Sequence, residues 1–322
     1  MNARVAVPLS LLAALSLSAD GPHKAVAPAL PPLRITLLGT GNPRPSMTRF
    51  GPSILVEAGT KRILVDAGRG ATQRLFSLGD GMLSGIDLVL LTHLHSDHVV
   101  GLPDLWLTGW IFGREKPLLV RGPEGTVAMM SHLKAAYAFD IGIRRDVDER
   151  FPAAGIEVDA SDLQSGASFE LDGVKVTAFA VDHGVVKPAY GYRIDYAGRS
   201  VVLSGDTRPS HALVDNARGV DVLIHEVIVP SVEMMRSAVA DATKVRRIIE
   251  HHTTPEDAGK IFAEVKPRLA VYSHIVPSPA TEKDLVEPTR KTYSGPLVVG
   301  YDLMCISIGE KITVERRIVP AE

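Results

Sequence analysis

Several things are scarce in this chain of 322 residues, and each shortage excludes a class of protein. There is one cysteine, Cys305, so no internal disulfide can form. It lies in the strand-like run Leu303 to Ile308, where a thiol packs as a small core hydrophobe rather than serving as a nucleophile. Neither sign of charge is in excess. The 35 basic and 37 acidic residues leave a net charge of −2, with no positive surplus to attract a polyanion. Internal repeats and low-complexity tracts are absent. Long apolar runs are missing too: Val5 to Leu17 spans thirteen residues, where a membrane-crossing helix needs about 20. That short run follows Arg4 and ends in Ser16-Leu17-Ser18-Ala19, small residues suited to cleavage. We therefore expect a signal peptide over residues 1–19, export to the periplasm or beyond, and no stable membrane insertion after cleavage. A Pro-rich linker over residues 20–32 and a single domain over residues 33–316 follow.

What is abundant is a particular kind of ligand. The run Thr92-His93-Leu94-His95-Ser96-Asp97-His98 places three imidazoles and a carboxylate within six positions. It follows Ile86 to Leu91, which reads as a buried strand, so the next turn is held at a fixed sheet edge. Nitrogen and oxygen donors at this density suit a divalent transition metal, most often zinc. Four donors from one turn cannot all close on one ion without strain. Two ions roughly 3.5–4 Å apart fit better. Three further donors come after strand-like runs: His183 after Val174 to Ala180, Asp206 after Ser200 to Val202, and His274 after Leu269 and Ala270.

The intervening sequence reads as alternating strands and helices. Leu33 to Leu38 is a strand, Ser53 to Glu57 and Arg62 to Val65 a hairpin, and Ala71 to Leu78 a helix. Helices are expected from Pro103, over Thr126 to Tyr137, over Val232 to Ile249, and over Pro255 to Val265 with Thr254 as N-cap. Tyr190 to Tyr196 and Arg199 to Leu203 form a second hairpin, and Asp221 to Ile224 is a strand. Residues 140 to 170 show no clear pattern. Asp66, before Gly68, reads as a buried hydrogen-bond acceptor. Trp106 and Trp110, four apart on a helix, read as a core stripe rather than a pocket wall. Met234 and Met235 read as core filling.

The HxHxDH cluster, followed by a His, an Asp and a His, resembles the metallo-β-lactamase superfamily over about Leu33 to Val314. The resemblance implies an α/β fold, a four-layer αββα sandwich with metals at one edge. It implies that His93, His95 and His183 hold one Zn2+, that Asp97, His98 and His274 hold a second, and that Asp206 bridges the two. The bridging position is Asp206 rather than Cys, and the second turn donor is His95 rather than Glu, so hydrolysis is implied rather than redox chemistry. Relatives are often homodimers.

His225-Glu226 and His251-His252-Thr253-Thr254 resemble motifs of the ribonuclease Z branch. There Glu226 would orient His252, which would protonate the departing oxygen, with Asp97 as a further catalytic residue. That branch carries a long tRNA-gripping arm between the third His and the bridging Asp. Here only 22 residues separate His183 from Asp206. The segments Gly39-Thr40-Gly41-Asn42-Pro43-Arg44-Pro45, Arg49-Phe50-Gly51-Pro52-Ser53 and Gly101 to Trp110 instead resemble metallo-β-lactamase-type arylsulfatases. The expected function is thus a dinuclear zinc hydrolase of sulfate or phosphate esters, arylsulfatase-like, with a small-molecule ester as substrate and no tRNA partner. A ribonuclease Z-type phosphodiesterase is the alternative, then a lactonase in which Tyr272 could serve, or a noncatalytic metal-binding protein. Arg44, Arg49, Arg69, Lys187 and Arg208 adjoin the site loops and offer cations for a sulfuryl or phosphoryl oxygen, although most belong to the solvated surface.

Overall fold

A computed structural model describes residues 33–230, 242–277 and 280–317. The expected signal peptide and linker, Met234 and Met235, and the first part of the Val232 to Ile249 helix lie outside the described residues; Ala242–Glu250 is helical. The strands are β1 (Leu33–Gly39), β2 (Ser53–Ala58), β3 (Lys61–Val65), β4 (Leu88–Leu90), β5 (Leu118–Gly122), β6 (Val158–Asp162), β7 (Ser168–Leu171) and β8 (Val174–Ala180). They continue with β9 (Tyr190–Tyr196), β10 (Arg199–Leu203), β11 (Val222–Ile228), β12 (Leu269–Val276), β13 (Leu297–Val299), β14 (Met304–Ile308) and β15 (Ile312–Arg316). One sheet runs β15-β14-β1-β2-β3-β4-β5-β6, the other β13-β12-β11-β10-β9-β8-β7.

Alternation of apolar residues explains the layers. Ile35, Leu37, Val56 and Val65 of the first sheet meet Val176, Ile194, Val201 and Ile224 of the second in one buried cluster. The opposite face of the first sheet (Leu55, Leu64, Val89) packs against the helices Leu102–Ile111 and Thr126–Ala136 through Leu105, Trp106 and Met130. The opposite face of the second sheet (Val202, Leu223, Ala270) packs against His211–Ala217 and Pro255–Val265 through Leu213, Ala258 and Phe262. Helix, sheet, sheet, helix is the expected αββα order. Each buried Leu, Ile, Val or Phe contributes about 1.5–3 kcal/mol.

Local signals place the boundaries. Thr254 caps its helix as expected, accepting from Asp257 N at 3.3 Å, with Pro255 in the first turn. Trp106 and Trp110 are fully buried and donate their indole N–H groups to Ile156 O and Pro152 O, both at 2.9 Å. They belong to the core. Cys305 is buried, and burial pushes its thiol pKa up. Tyr272 is also core, its hydroxyl 2.7 Å from Thr289 Oγ1. Residues 140 to 170 resolve into short pieces: a π-helical turn Ile143–Val147, a helical turn Ala153–Ile156, and the edge strands β6 and β7. Edge strands packed on one face, split by turns, carry too little period for sequence to reveal. Among the described residues no helix is long and apolar enough to cross a membrane.

Candidate metal centre

The donors gather where the parallel strands end. Strands β3, β4 and β5 run parallel in the first sheet, and β10, β11 and β12 in the second. Parallel strands deliver their carboxyl ends to one edge, where ligands of α/β sheets gather. His93 and His95 follow β4, and Ser96–Val99 forms a single helical turn carrying Asp97 and His98. That turn lies directly on Gly68: a Cβ there would come within 2.5 Å of Asp97 O. His183 follows β8, and Asp206 follows β10 after Gly205. Gly205 has φ +58, and a Cβ on it would meet Tyr190 O at 2.4 Å.

His274 and Glu226 depart from expectation, because each lies inside its strand rather than at its end. Opposite each other, β11 advances two residues from His225 to Val227 while β12 advances three from Tyr272 to Ile275. The extra residue is a bulge at Ser273-His274, and His274 has φ +42. A bulge re-aims a side chain, and a non-glycine residue in the left-handed region stores strain typical of functional sites.

All seven expected donors come together in two groups, His93-His95-His183-Asp206 and Asp97-His98-His274. Within each group the donor atoms lie inside 4.8 Å of one another. Asp206 Oδ2 is the hub. It lies 3.1 Å from His274 Nε2, 3.4 Å from His98 Nε2, 3.8 Å from His93 Nε2 and 3.9 Å from His183 Nε2. Asp97 Oδ2 is 3.6 Å from His274 Nε2 and 3.7 Å from His98 Nε2. Asp206 thus faces both groups, as a bridging carboxylate must.

Two of the imidazoles, His98 and His183, are also held from behind. His98 Nδ1–H donates to Asp66 Oδ2 at 2.8 Å, and Asp66 also accepts from Thr92 N and Thr92 Oγ1 at 2.8 Å. His183 Nδ1–H donates to His251 O at 3.0 Å. These bonds fix the tautomer, leaving Nε2 as the lone-pair donor toward the centre. Asp66 is therefore the buried acceptor that was expected, with a partner, His98, that sequence did not indicate. His93 Nε2, His98 Nε2 and Asp206 Oδ1 are buried and make no hydrogen bond. Buried polar atoms are ordinarily satisfied, and divalent cations held by the two groups would satisfy these three. The donor set fits a metal.

The electrostatics agree. Burial alone would lower the His98 pKa, but the carboxylates of Asp206 and Asp66 outweigh it and hold the imidazole well above its usual value. Burial would raise Asp206, but His274 and His98 hold it well below the ordinary carboxylate range. His93 is pushed well below by burial, then by the charge of His98. A buried volume that so favours positive charge at its centre suits a divalent cation in place of protons.

Beside this cluster sit Glu226 and His252. Glu226 Oε1 accepts from Thr253 N at 2.8 Å and Thr207 N at 3.3 Å. Its Oε2 accepts from His252 Nδ1–H at 3.1 Å, and the same nitrogen is 4.0 Å from Asp206 Oδ2. Burial opposes charge on His252, but Glu226 overrides it in charge and hydrogen bond and raises the pKa to about 9. The surface cations divide. Arg49 donates to Thr40 Oγ1 at 2.7 Å and Gly300 O at 2.8 Å, so it braces the opening loop. Arg208 pairs with Asp182 at 2.8 Å. Asp302 was not foreseen: it accepts from Thr40 N, Thr40 Oγ1 and Phe50 N at 2.8–2.9 Å and clamps that loop. No local pattern marks it, since its partners lie some 250 residues away.

A family model described as "Beta-lactamase superfamily domain" matches residues 61–275, about two thirds of the chain. The chain belongs to the metallo-β-lactamase superfamily. Within it, the chain falls in the ribonuclease Z-like branch. Ribonuclease Z of Mycobacterium bovis is 36% identical over 283 residues, a match covering 86% of this chain and 98% of that protein. Two solved structures share the fold. The metallo-β-lactamase fold protein YhfI from Bacillus subtilis gives a TM-score of 0.66 at 17% identity, covering 85% of this chain and 98% of its own. Human tRNase Z, short form, gives 0.63 at 21% identity, covering 85% of this chain and 99% of its own. The chain is a metal-dependent hydrolase acting on ester bonds. These relatives overturn the expectation of a small-molecule ester substrate with no tRNA partner. That expectation rested on the missing arm, together with the balanced charge, the expected export and the arylsulfatase-like segments. Yet 98% of the M. bovis protein aligns within 283 residues that take in 86% of this chain, which leaves no room there for a long insertion that this chain lacks. A short His183-to-Asp206 segment therefore does not separate this chain from ribonuclease Z.

Proposed function

We propose that the protein is a dinuclear zinc phosphodiesterase of ribonuclease Z type, with tRNA precursors as its substrate class. One observation carries this reading beyond the family match: a Glu226-His252 pair at the rim of the metal cluster. His93, His95, His183 and Asp206 would hold one ion, and Asp97, His98, His274 and Asp206 the other. Zinc suits imidazole and carboxylate donors. When bound, the pair supplies Lewis-acid stabilisation of phosphoryl charge and an activated water.

The remaining work belongs to side chains of the chain itself. Asp206 sets the spacing of the two groups, and Asp97 holds the second group from the solvent side. Glu226 keeps His252 protonated at neutral pH, with Nδ1 committed to the carboxylate and Nε2 left to deliver a proton. That proton matters for a ribose alkoxide, a poor leaving group. It matters little for an aryl oxide, which departs unaided. A site that invests in a buried general acid is therefore suited to RNA rather than to an aryl sulfate.

The test is direct. Zinc-loaded protein is incubated with a precursor tRNA and, separately, with an aryl sulfate, each with and without chelator. Cleavage of the precursor at one position, abolished by chelator, is expected. Turnover of the aryl sulfate with the precursor left intact would overturn the reading.

A further inference from the structure

We infer that a groove beside the His183 loop is a nucleotide-binding subsite, holding a nucleotide adjacent to the scissile phosphate; this rests on the ribonuclease reading. The groove has a volume of about 510 Å³, within the range of small-molecule sites. Leu163, Ala180, Val181 and Pro188 give it apolar surface, and Glu124, Gln164 and Lys187 give it polar groups.

Its position ties it to the metal centre. One loop carries His183 at its start and Lys187-Pro188 at its end. That loop is closed by Val186 N donating to His183 O at 3.2 Å and Val181 N donating to Ala189 O at 2.9 Å. Tyr190 N donates to Thr92 O at 2.8 Å, which joins the groove wall to the residue before His93. On the other side Glu124 precedes Gly125, whose Cβ position lies 3.0 Å from Leu94 Cδ1, between His93 and His95. The groove is thus flanked on both sides by residues adjoining three of the metal donors. A substrate with its phosphate on the centre has its neighbouring nucleotide within reach of the groove.

Its chemistry selects the occupant. The side chains of Lys187, Gln164 and Glu124 make no hydrogen bond or ion pair among the described residues. A bare anion such as sulfate would meet the Glu124 carboxylate. A nucleotide uses all three: Lys187 for a phosphate oxygen, Gln164 for a base edge, and Glu124 as acceptor from a base amino group or a ribose 2′-hydroxyl. The apolar surface takes the face of the base. RNA is read most specifically through unstacked bases in such pockets.

The test compares kcat/KM of the zinc-loaded full chain on a precursor tRNA and on bis(4-nitrophenyl) phosphate, for wild type, Lys187→Ala and Ala180→Trp. Both substitutions should lower kcat/KM on RNA about tenfold, the scale of one charge-assisted hydrogen bond or one lost base contact. The loss should fall mainly on KM. The aryl phosphate, too short to reach the groove, should change less than twofold. If wild type cleaves RNA and both variants match it, the groove is not a subsite. Equal losses on both substrates would make it structural and likewise overturn the inference. If wild type hydrolyses the aryl phosphate but no RNA, the ribonuclease reading fails, and the subsite with it.

Discussion

Replacing Glu226 with Gln is the sharpest probe of the acid. Gln keeps the shape and can still accept from Thr253 N and Thr207 N, so the loop should hold. What disappears is the negative charge 3.1 Å from His252 Nδ1. That charge raises the imidazole from 6.5 to about 9 against the pull of burial. Without it burial is opposed only by the charge of Asp206, and the pKa returns toward 6.5. The difference, about 3 kcal/mol, is the preference for the protonated form that Glu226 supplies. Metals bound nearby lower both proteins alike, so the wild-type-to-variant difference is what should be read. A general acid works only while protonated, so activity is lost as pH rises through its folded-state pKa. The alkaline limb should therefore move down by up to about 2.5 pH units in the variant. At pH 8 an imidazole of pKa 9 is about nine-tenths protonated and one of 6.5 about 3%, so the rate should fall roughly thirtyfold. The assay is a pH–kcat/KM profile on two phosphodiesters that differ only in leaving group, one alkyl and one nitrophenyl. The alkyl ester should show the whole effect and the nitrophenyl ester little of it. An unmoved alkaline limb, or equal loss on both esters, would refute the assigned roles.

Elemental analysis of wild type should find about two metal equivalents per chain, and Asp206→Ala should lose at least one; full loading of that variant would remove Asp206 from the bridge. Asp66→Ala takes away the acceptor of His98 Nδ1–H and should weaken metal affinity about 10–100-fold in a chelator competition, with the seven donors untouched; unchanged affinity would show that Asp66 only shapes the fold. Trp106→Ala should cost about 3–5 kcal/mol in denaturant unfolding, since the ring is fully buried and bonded to Ile156 O. The kcat of its folded fraction should stay within about twofold; a selective loss of kcat would return Trp106 to the pocket wall.

Much of the molecule was legible because its signals are local. The hairpin β2–β3, the Thr254 cap, the hairpin β9–β10 and the dense donor turn after β4 each depend on neighbours a few residues apart. Period, turn residues and capping chemistry report such features directly. The substrate was misjudged for a different reason. A missing insertion was weighed as an absence of function, whereas the ribonuclease Z of M. bovis matches this chain along 98% of its length.

The sequence alone determined which donor-type residues exist and that most of them follow strands. Those facts reside in residue types and spacing. Tertiary structure alone decided which nitrogen of His98 and of His183 faces the centre, and which carboxylate holds His252. Asp66 meets His98 across 32 positions, His183 meets the His251 carbonyl across 68, and Glu226 meets His252 across 26. It also decided that His274 reaches Asp206 from a bulge inside β12 rather than from a strand end. The physical reason is that hydrogen bonds and fields act over a few ångströms of space. Which groups share that space is set by how two sheets pack, and no local pattern records it.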